Sequence, residues 1–543
     1  MKSAFCLFAA LSFGALVWPS YAADAPDKDK SAAASASDFF KPEEKVSQGS
    51  ISVGGDSIDY QAHAGTLVVH PKGWDDVAQD ANGDEKAKEA AKDGDNPTAE
   101  ASMFYVAYFK RGARPEARPI TFLFNGGPGS STVWLHMGAF GPRRVVTADD
   151  THSPAAPYQV VNNDQSLLDA SDLVFVDAPG TGFSRIAGKD KEKAFYGIDT
   201  DAHAFSEFIT QFLSKYGRWN SPKYLFGESY GTTRSAVVVN ELETERDVDF
   251  NGVILLSQIL SFDMSADGPE VNPGVDLPYQ LALPTYAATA WYHHKLPGNW
   301  KDLPTLLAQV ERFAMTDYAL ALQGGSTIGP GWRAEVANKL HQFTGLPLSY
   351  IYKADLRING GEFEKNLQDD AGMTTGRLDT RFSGPTMDPL SKEADYDPQS
   401  ASISSAYVSA FNDYVRNKLN FGQDRAYKPE IDTFKYWNFQ HQPPGADQPL
   451  PVSANVMPDL ATAMKYNPNL KILLNGGYFD LATPFYEGQY EMHHLQIPAK
   501  LQANISYALY ESGHMVYAHQ ASLKRLHDNV AAFIRQTDNV GKN

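Results

Sequence analysis

The feature that most constrains the fold of this chain is the pentapeptide Gly-Glu-Ser-Tyr-Gly at 227–231, which directly follows the apolar run 224–226. Glycines on either side of a serine let the backbone turn sharply from a strand into a helix without a Cβ clash. Such a turn holds the Ser229 hydroxyl above the carboxyl edge of a parallel sheet. The same pattern also occurs in ordinary surface loops, so its meaning depends on partners elsewhere in the chain.

Strand and helix patterns alternate on both sides of this turn. Continuous apolar runs at 119–124, 173–176 and 253–256 are typical of buried parallel strands, and 202–216 has helical spacing. Strand character returns at 470–474 and 505–510, and an amphipathic helix is predicted at 520–535. This alternation predicts an α/β fold built on a doubly wound, mostly parallel sheet.

The remaining segments predict the domain organisation. Residues 1–22 have the pattern of a secretory signal, and 23–47 lack an apolar period and predict a flexible leader. The first part of the core is predicted at 48–262 and the second at 466–537. Between them, 263–465 predicts a large, mainly helical cap insertion, with helices expected at 277–296, 305–322, 332–343 and 404–419.

Composition and charge limit which binding partners and which cellular compartment we expect for this protein. The net charge is −18 and no basic stripe offsets it, so nucleic acid is not an expected partner. No window after the signal is apolar enough for a membrane span, so we expect no membrane anchor. We expect an exported protein, periplasmic or secreted. The acidic segment 75–100, with nine acids and three lysines, predicts a solvated surface loop.

A serine nucleophile needs a base to accept its proton and a carboxylate to orient that base. Asp480 follows the strand pattern 470–474 and an Asn-Gly-Gly turn, and His514 follows the strand pattern 505–510 and a Ser-Gly turn. Strand ends of this kind meet at one edge of the sheet, in the chain order Ser, Asp, His. The sequence therefore predicts Ser229, Asp480 and His514 as catalytic residues.

Acyl transfer also requires two backbone N–H donors for the oxyanion. Tyr230, the residue after the serine, supplies one, and the run Asn-Gly-Gly-Pro-Gly-Ser-Ser at 125–131 follows an earlier strand and supplies the other. A Gly-rich loop after a strand is also typical of phosphate sites, but the nucleotide-binding glycine motifs are absent. We expect no metal and no organic cofactor.

Four blocks together resemble the serine carboxypeptidase family, in its bacterial-type form: 125–131, 227–230, 476–480 and 511–515. The resemblance implies an α/β-hydrolase fold and a substrate peptide with a free C-terminus. It implies that Ser229 is the nucleophile, His514 the general base and Asp480 its orienter, with the oxyanion hole formed by Gly127 and Tyr230. The residues that it implies for binding the terminal carboxylate of the substrate are Asn125, Gly126 and Glu228.

The sequence departs from the family pattern near that carboxylate site. Ser130 replaces the usual cysteine, and Ala139 stands where the family commonly has a second glutamate. Arg143 and Arg144 are candidate substitutes, because a guanidinium binds a carboxylate bidentately. A carboxylate that faces Glu228 must share a proton with it, so we expect the pKa of Glu228 to be raised and binding to favour mildly acidic pH.

Three functions remain open from the sequence. The first is an exported serine carboxypeptidase that works through an acyl-enzyme. The second is an esterase or acyltransferase with the same triad, since the cap decides which substrate fits. The third is a binding protein that carries a relic site. The sequence leaves side-chain preference and oligomeric state undetermined.

Overall fold

The computed structural model describes residues 39–74 and 97–541. The predicted signal, the leader up to residue 38 and most of the predicted acidic loop lie outside the described residues. The strands of the described chain, in order, are β1 (Glu44–Val53), β2 (Asp56–Val69), β3 (Glu100–Lys110), β4 (Ile120–Phe124), β5 (Arg143–Val145), β6 (Val160–Asn162), β7 (Asp172–Val176), β8 (Arg185–Ala187), β9 (Lys223–Glu228), β10 (Gly252–Leu256), β11 (Met373–Thr375), β12 (Ser383–Pro385), β13 (Lys471–Gly477) and β14 (Ile505–Tyr510).

The main sheet has the order β1-β2-β3-β7-β4-β9-β10-β13-β14, with β8 paired to β3. Its first pairs, from β1 to β7, are antiparallel, and every pair from β7 to β14 is parallel. From β4 the chain continues to β7 on one side and then to β9 on the other side of β4. This reversal of direction is typical of a doubly wound sheet. The predicted fold class, an α/β-hydrolase fold, is confirmed.

Both faces of the sheet are covered by apolar side chains. On β9, Tyr224 and Phe226 belong to the hydrophobic cluster on one face, and Leu225 belongs to the cluster on the other. Side chains alternate across a strand, so a continuous apolar run is what a sheet buried on both faces requires. Burying each such side chain is worth about 2 kcal/mol. The central strands are therefore a rigid base for the loops at their carboxyl ends.

The predicted helices are present, with shifted ends. The prediction at 305–322 is interrupted, because Leu303–Phe313 passes through a wider helical turn at Ala314–Tyr318 before Ala319–Gly324. The α-helices of the described chain are Lys191–Phe195, Ile198–Tyr216, Tyr230–Glu245, Leu277–Tyr292, Leu303–Phe313, Ala319–Gly324, Pro330–Thr344, Leu348–Lys353, Gly360–Asn366, Pro398–Asn417, Met457–Tyr466, Phe485–His493, Ala499–Gln502 and Gln520–Thr537.

Two predicted boundaries differ from the structure. The folded chain was expected to begin near Gln48, but β1 begins at Glu44, whose backbone pairs with Gly65. The error arose because β1 is an edge strand with mostly exposed side chains and so has little apolar pattern. Glu100, expected in the acidic loop, begins β3 and is buried, and its carboxylate accepts the backbone N–H of Phe39 at 2.9 Å.

A long segment, 257–470, connects two strands that are neighbours in the sheet, β10 and β13. Many of its helices pack around a hydrophobic cluster of their own, which extends to Phe479 and Leu481 on either side of Asp480. The inserted segment is therefore packed directly against a loop of the predicted active site. The boundaries proposed for the cap, 263–465, remain a prediction.

Within the described ranges, none of the helices combines the length and the apolar character needed to cross a bilayer.

Candidate active site

Ser229 lies at the turn between β9 and the helix Tyr230–Glu245, as the pentapeptide predicts. Its backbone has φ 61° and ψ −132°, a strained conformation for a residue with a side chain. A Cβ on Gly227 would lie 2.1 Å from the carbonyl oxygen of Gly231, so the turn has no room for a larger residue there. The Ser229 N–H donates to Leu256 O at 3.0 Å, which fastens the turn to β10.

His514 and Asp480 form the predicted base and carboxylate pair. His514 Nδ1 lies 2.8 Å from Asp480 Oδ2, and Asp480 is fully buried. Thr483 donates to both carboxylate oxygens, from its N–H at 3.0 Å and from its hydroxyl at 2.8 Å. Burial alone lowers the pKa of His514, but attraction to Asp480 outweighs it and leaves the pKa above the ordinary value. With Nδ1 engaged, Nε2 is the nitrogen left to act as a base.

A cavity of about 470 Å³ joins these elements. It opens over the carboxyl ends of the parallel strands, where α/β sheets usually carry their sites. The predicted residues that line it are Asn125, Gly126, Gly127, Glu228, Ser229, Tyr230 and His514. The structure therefore brings the predicted nucleophile, the predicted base and both predicted oxyanion donors to a single cavity.

The Gly-rich loop 125–131 lies directly against the serine turn. A Cβ on Gly126 would be 2.4 Å from Tyr230 N, and Gly127 has φ 108°, a conformation that favours glycine. Tyr230 is the first residue of its helix, so its N–H has no acceptor within the helix. Two backbone donors beside Ser229 fit the needs of an oxyanion hole.

Glu228 is buried beside this site, at 2% exposure. The Tyr517 hydroxyl donates to its two carboxylate oxygens, at 2.9 and 3.1 Å. Burial raises the pKa of Glu228 to about 7, although His514, Tyr517 and Asn125 each oppose part of that rise. The direction agrees with the sequence prediction. Sequence reasoning missed Tyr517, and its one available signal was a hydroxyl three residues after His514 in the same loop.

The proposed arginine substitutes for the second glutamate are not in the cavity wall. Arg143 and Arg144 lie on β5, which pairs with β6, and neither lines the cavity. The Arg144 guanidinium interacts with Tyr407 and Asp149, and burial lowers its pKa. Because the two arginines directly follow a Gly-Pro pair in the sequence, they were expected to reach the site. Pairing of β5 with β6 instead keeps both arginines out of the cavity wall. Ala139, fully buried, does not line the cavity either.

A different arginine, Arg377 of the inserted segment, does line the cavity. Its guanidinium forms a two-point ion pair with Asp267, another lining residue, with Nε to Oδ1 at 3.0 Å. The backbone N–H of Arg377 donates to Asp397 Oδ1 at 2.7 Å. Sequence reasoning missed this pair because its members lie 110 positions apart in a segment without a recognisable motif.

The backbone of Arg377 and Leu378 contacts two loops of the core, one that carries His514 and one that carries Asp480. His514 N donates to Leu378 O at 2.6 Å, and Leu481 N donates to Arg377 O at 3.1 Å. These bonds tie the inserted segment to the loop of the base and to the loop of its carboxylate partner.

Asp379 adds a side-chain contact to the same support. Its Oδ2 accepts the N–H of Gly513 at 3.1 Å, next to His514, and its carboxylate pairs with the buried guanidinium of Arg381 at 2.5 Å. A Cβ on Gly513 would lie 2.4 Å from the Asp379 Cβ, so the two backbones are in close contact. Asp379 is therefore positioned to hold the histidine loop in place.

Thr232 and Thr233, in the first turn of the helix after Ser229, have a structural function. The Thr233 hydroxyl donates to Ile259 O at 2.7 Å, and the Thr232 hydroxyl donates to Ser229 O at 2.7 Å. Thr232 Oγ1 also accepts the Ile259 N–H at 3.0 Å. Because Ile259 lines the cavity, these threonines connect the helix after Ser229 to the cavity wall.

A second part of the inserted segment, which we call the strap (residues 428–439), covers the Gly-rich loop. Ile431 N donates to Gly129 O at 2.9 Å, and Thr433 Oγ1 donates to Pro128 O at 2.9 Å. Three strap side chains line the cavity: Glu430, Phe434 and Phe439. Across residues 39–74 and 97–541, no cluster of three or more His, Cys, Asp or Glu is arranged to hold a metal ion.

A serine at a strained turn that shares a cavity with a histidine–carboxylate pair is the arrangement expected of a serine hydrolase of the α/β-hydrolase fold. Comparison with known proteins shows which family the chain resembles. Residues 94–261 match the model described as serine carboxypeptidase. The match includes the Gly-rich loop and the serine turn, and it confirms the resemblance to this family, although not the bacterial-type detail.

Two curated relatives agree with the family match. The chain is 32% identical over 141 residues to a pheromone-processing carboxypeptidase (KEX1) of Phytophthora infestans, covering 24% of this chain and 21% of that protein. It is 28% identical over 181 residues to a carboxypeptidase Y homolog of Arthroderma benhamiae, covering 32% of this chain and 33% of that protein. The alignments thus span between a fifth and a third of the length of these relatives.

Solved structures with the same general architecture are more distant. A proline iminopeptidase of Mycobacterium smegmatis has a TM-score of 0.34 at 12% identity, covering 81% of this chain and 96% of that one. A likeness at this level carries no argument about activity. The fold assignment rests on the strand order of the sheet.

Proposed function

We propose that the protein is an exported serine carboxypeptidase that removes C-terminal residues from peptides through an acyl-enzyme. The observation that carries this proposal is the shared cavity. Ser229 and His514 line it together, His514 is held by Asp480, and Glu228 is buried in its wall. The family match and both relatives support the same activity.

The proposed reaction follows the acyl-enzyme route of serine hydrolases. Ser229 Oγ attacks the carbonyl carbon of the last peptide bond while its proton passes to His514 Nε2. The N–H groups of Gly127 and Tyr230 stabilise the oxyanion of the tetrahedral intermediate. The C–N bond then breaks as His514 returns the proton to the leaving amine. In the second half, His514 takes a proton from water, which attacks the acyl-enzyme. The ester bond to Ser229 breaks, and Ser229 regains its proton from His514.

Glu228 and Asn125 account for the exopeptidase activity. A protonated Glu228 donates a hydrogen bond to the terminal carboxylate of the substrate, and its pKa of about 7 keeps the proton available in mildly acidic solution. Tyr517 fixes the side chain through both oxygens. Arg377 is not assigned to this function, because Asp267 already occupies its guanidinium.

Export depends on the signal pattern in residues 1–22, outside the described residues. The proposed partner is a peptide with a free C-terminus, without nucleic acid and without a membrane anchor. Cell fractionation of the full-length protein and N-terminal sequencing of the product test the export proposal. A mature N-terminus close to residue 23, outside the cytoplasm, is the expected result.

An esterase or acyltransferase is the second candidate, because the same triad and oxyanion donors act on esters. Both candidates would use the same cavity. The proposed function of the buried Glu228, however, requires a substrate with a carboxylate. Three matched substrates separate the two: a blocked dipeptide with a free carboxyl, its C-terminal amide and its ethyl ester. Hydrolysis of the free acid supports the carboxypeptidase, and hydrolysis of the ester alone would refute it.

The remaining alternative, a binding protein with a relic site, is tested by a fluorophosphonate probe. An intact triad predicts stoichiometric labelling of Ser229 in the folded protein. Absence of labelling would favour the relic site.

A further inference from the structure

Ser257 directly follows β10, at the carboxyl edge of the sheet. Its backbone has φ 54°, in the left-handed region that residues with a side chain rarely adopt. Ser257 is 1% exposed and does not line the cavity, and the proposed reaction does not use it. Backbone strain of this kind persists only where the surrounding structure enforces it, and it concentrates at functional sites.

The peptide group that joins Leu256 to Ser257 contacts the elements of two predicted catalytic residues. Its carbonyl, Leu256 O, accepts the N–H of Ser229 at 3.0 Å. Its N–H, from Ser257, donates to Asn475 O at 2.9 Å, and Asn475 lies on β13, shortly before the turn that carries Asp480. A single peptide group thus connects the serine turn to the strand that precedes the carboxylate.

The Ser257 side chain adds a contact to the third predicted catalytic residue. Its hydroxyl donates to the backbone carbonyl of His514 at 2.7 Å, and both residues are buried. The N–H of His514 donates to Leu378 O at 2.6 Å. The backbone of His514 is therefore held by Ser257 from the core and by Leu378 from the inserted segment. Because the side chain moves with its backbone, a shift here would displace Nε2.

The same junction is also tied to β14. The Tyr510 hydroxyl, at the end of β14, donates to Asn475 Oδ1 at 2.9 Å, and Asn475 Nδ2 donates to Leu255 O at 3.3 Å. Asn475 and Tyr510 are both fully buried, where hydrogen bonds are strong and water does not compete for them. Buried hydrogen bonds thus join the ends of β10, β13 and β14 around Ser257, and they account for its strained conformation.

We propose that Ser257 is a positioning residue that fixes the place of His514 relative to Ser229. It acts through backbone contacts and does not touch the substrate. The inference rests on the triad assigned in the proposed function, and it holds for a peptide substrate and for an ester alike.

Two variants separate positioning from stability. Ser257→Ala removes the hydroxyl but keeps a Cβ at a positive φ, whereas Ser257→Gly removes the hydroxyl and adopts this φ without strain. The glycine variant should therefore melt at a higher temperature than the alanine variant. Both lose the contact to His514, so both should react with a fluorophosphonate probe at Ser229 about tenfold more slowly than the wild type, or slower still.

Ser171→Ala is the matched control. Ser171 is also fully buried, and its hydroxyl donates to a backbone carbonyl, Asp172 O, at 2.8 Å. It lies directly before β7, at the amino edge of the parallel sheet, whereas the site lies at the carboxyl edge. Its loss should lower the melting temperature, because a buried hydrogen bond is removed, and should leave the labelling rate unchanged.

The labelling rate is followed by kcat and KM for a simple ester and for a blocked dipeptide with a free carboxyl. In both Ser257 variants we expect kcat to fall by about tenfold or more while KM stays within about twofold. An unchanged labelling rate in either folded variant, a rate that recovers in Ser257→Gly with stability, or an equal loss in Ser171→Ala would overturn the inference. An increase in KM at unchanged kcat would also overturn it.

The outcomes distinguish this inference from the proposed function. Failure of the wild type on the dipeptide, with normal hydrolysis of the ester, would overturn the carboxypeptidase proposal alone, because the ester still reports the effect of Ser257. Absence of labelling in the folded wild type would overturn both.

Discussion

The sheet core and the inserted segment 257–470 contribute to the same cavity in different ways. The core carries the predicted catalytic residues on loops that follow parallel strands of one sheet. The inserted segment supplies wall residues and supports, such as Arg377, Asp379 and Glu430, from loops that follow no repeating pattern. The comparison teaches that the two regions are interdependent: the core carries the predicted catalytic residues and Glu228, and the inserted segment completes the cavity wall and supports the loop of His514.

The largest effect is expected from the core. Ser229→Ala removes the nucleophile and should reduce kcat by at least about 10⁴-fold, with little change in substrate binding. The measurement is kcat for a blocked dipeptide, with thermal melting as a check of folding. Retention of activity by the folded variant would break the assignment of chemistry to the core.

The next effect tests whether the inserted segment also affects the chemistry. Asp379→Asn removes a charge that pairs with Arg381 and accepts the Gly513 N–H. Breaking a buried pair costs about 3 kcal/mol of stability or more, so the melting temperature should fall. In the folded variant we expect kcat to decrease about tenfold or more with KM nearly unchanged, because a small displacement of His514 slows proton transfer. A change in KM alone would instead place Asp379 in substrate binding.

A pH dependence is expected from Glu228, the core residue that we propose to bind the terminal carboxylate of the substrate. The pKa of Glu228 is about 7, so it holds its proton below that pH and loses it above. KM for a dipeptide with a free carboxyl should therefore rise above pH 7, approaching tenfold per unit. Glu228→Gln keeps a donor that does not titrate, and its KM should stay flat. The same pH dependence in both forms would exclude Glu228 as the group that binds the carboxylate.

The smallest effect is expected from Arg143 and Arg144, which lie on β5 and outside the cavity wall. Arg143→Ala and Arg144→Ala should each leave KM for the free-acid dipeptide within about twofold of the wild type, as for substitutions away from a binding site. A much larger increase in KM for either variant would restore the sequence-based hypothesis that these arginines replace the second glutamate.

The sequence predicted the core far better than the inserted segment. The strands came from apolar runs, and the positions of Ser229, Asp480 and His514 came from Gly-rich turns at strand ends, since both signals are local. The contacts of Arg377 with Asp267, and of Tyr517 with Glu228, join residues that are 110 and 289 positions apart. No local pattern encodes such pairs, because they depend on how segments far apart in the sequence pack together in the folded chain.

The most direct test of the central claim is mass spectrometry of a defined peptide mixture digested by the wild type and by Ser229→Ala. Each peptide is supplied with a free C-terminus and, separately, as its C-terminal amide. The account predicts stepwise loss of C-terminal residues from the free acids, much slower loss from the amides and no loss with Ser229→Ala. Cleavage at internal bonds, equal cleavage of acids and amides, or cleavage that persists in Ser229→Ala would contradict it.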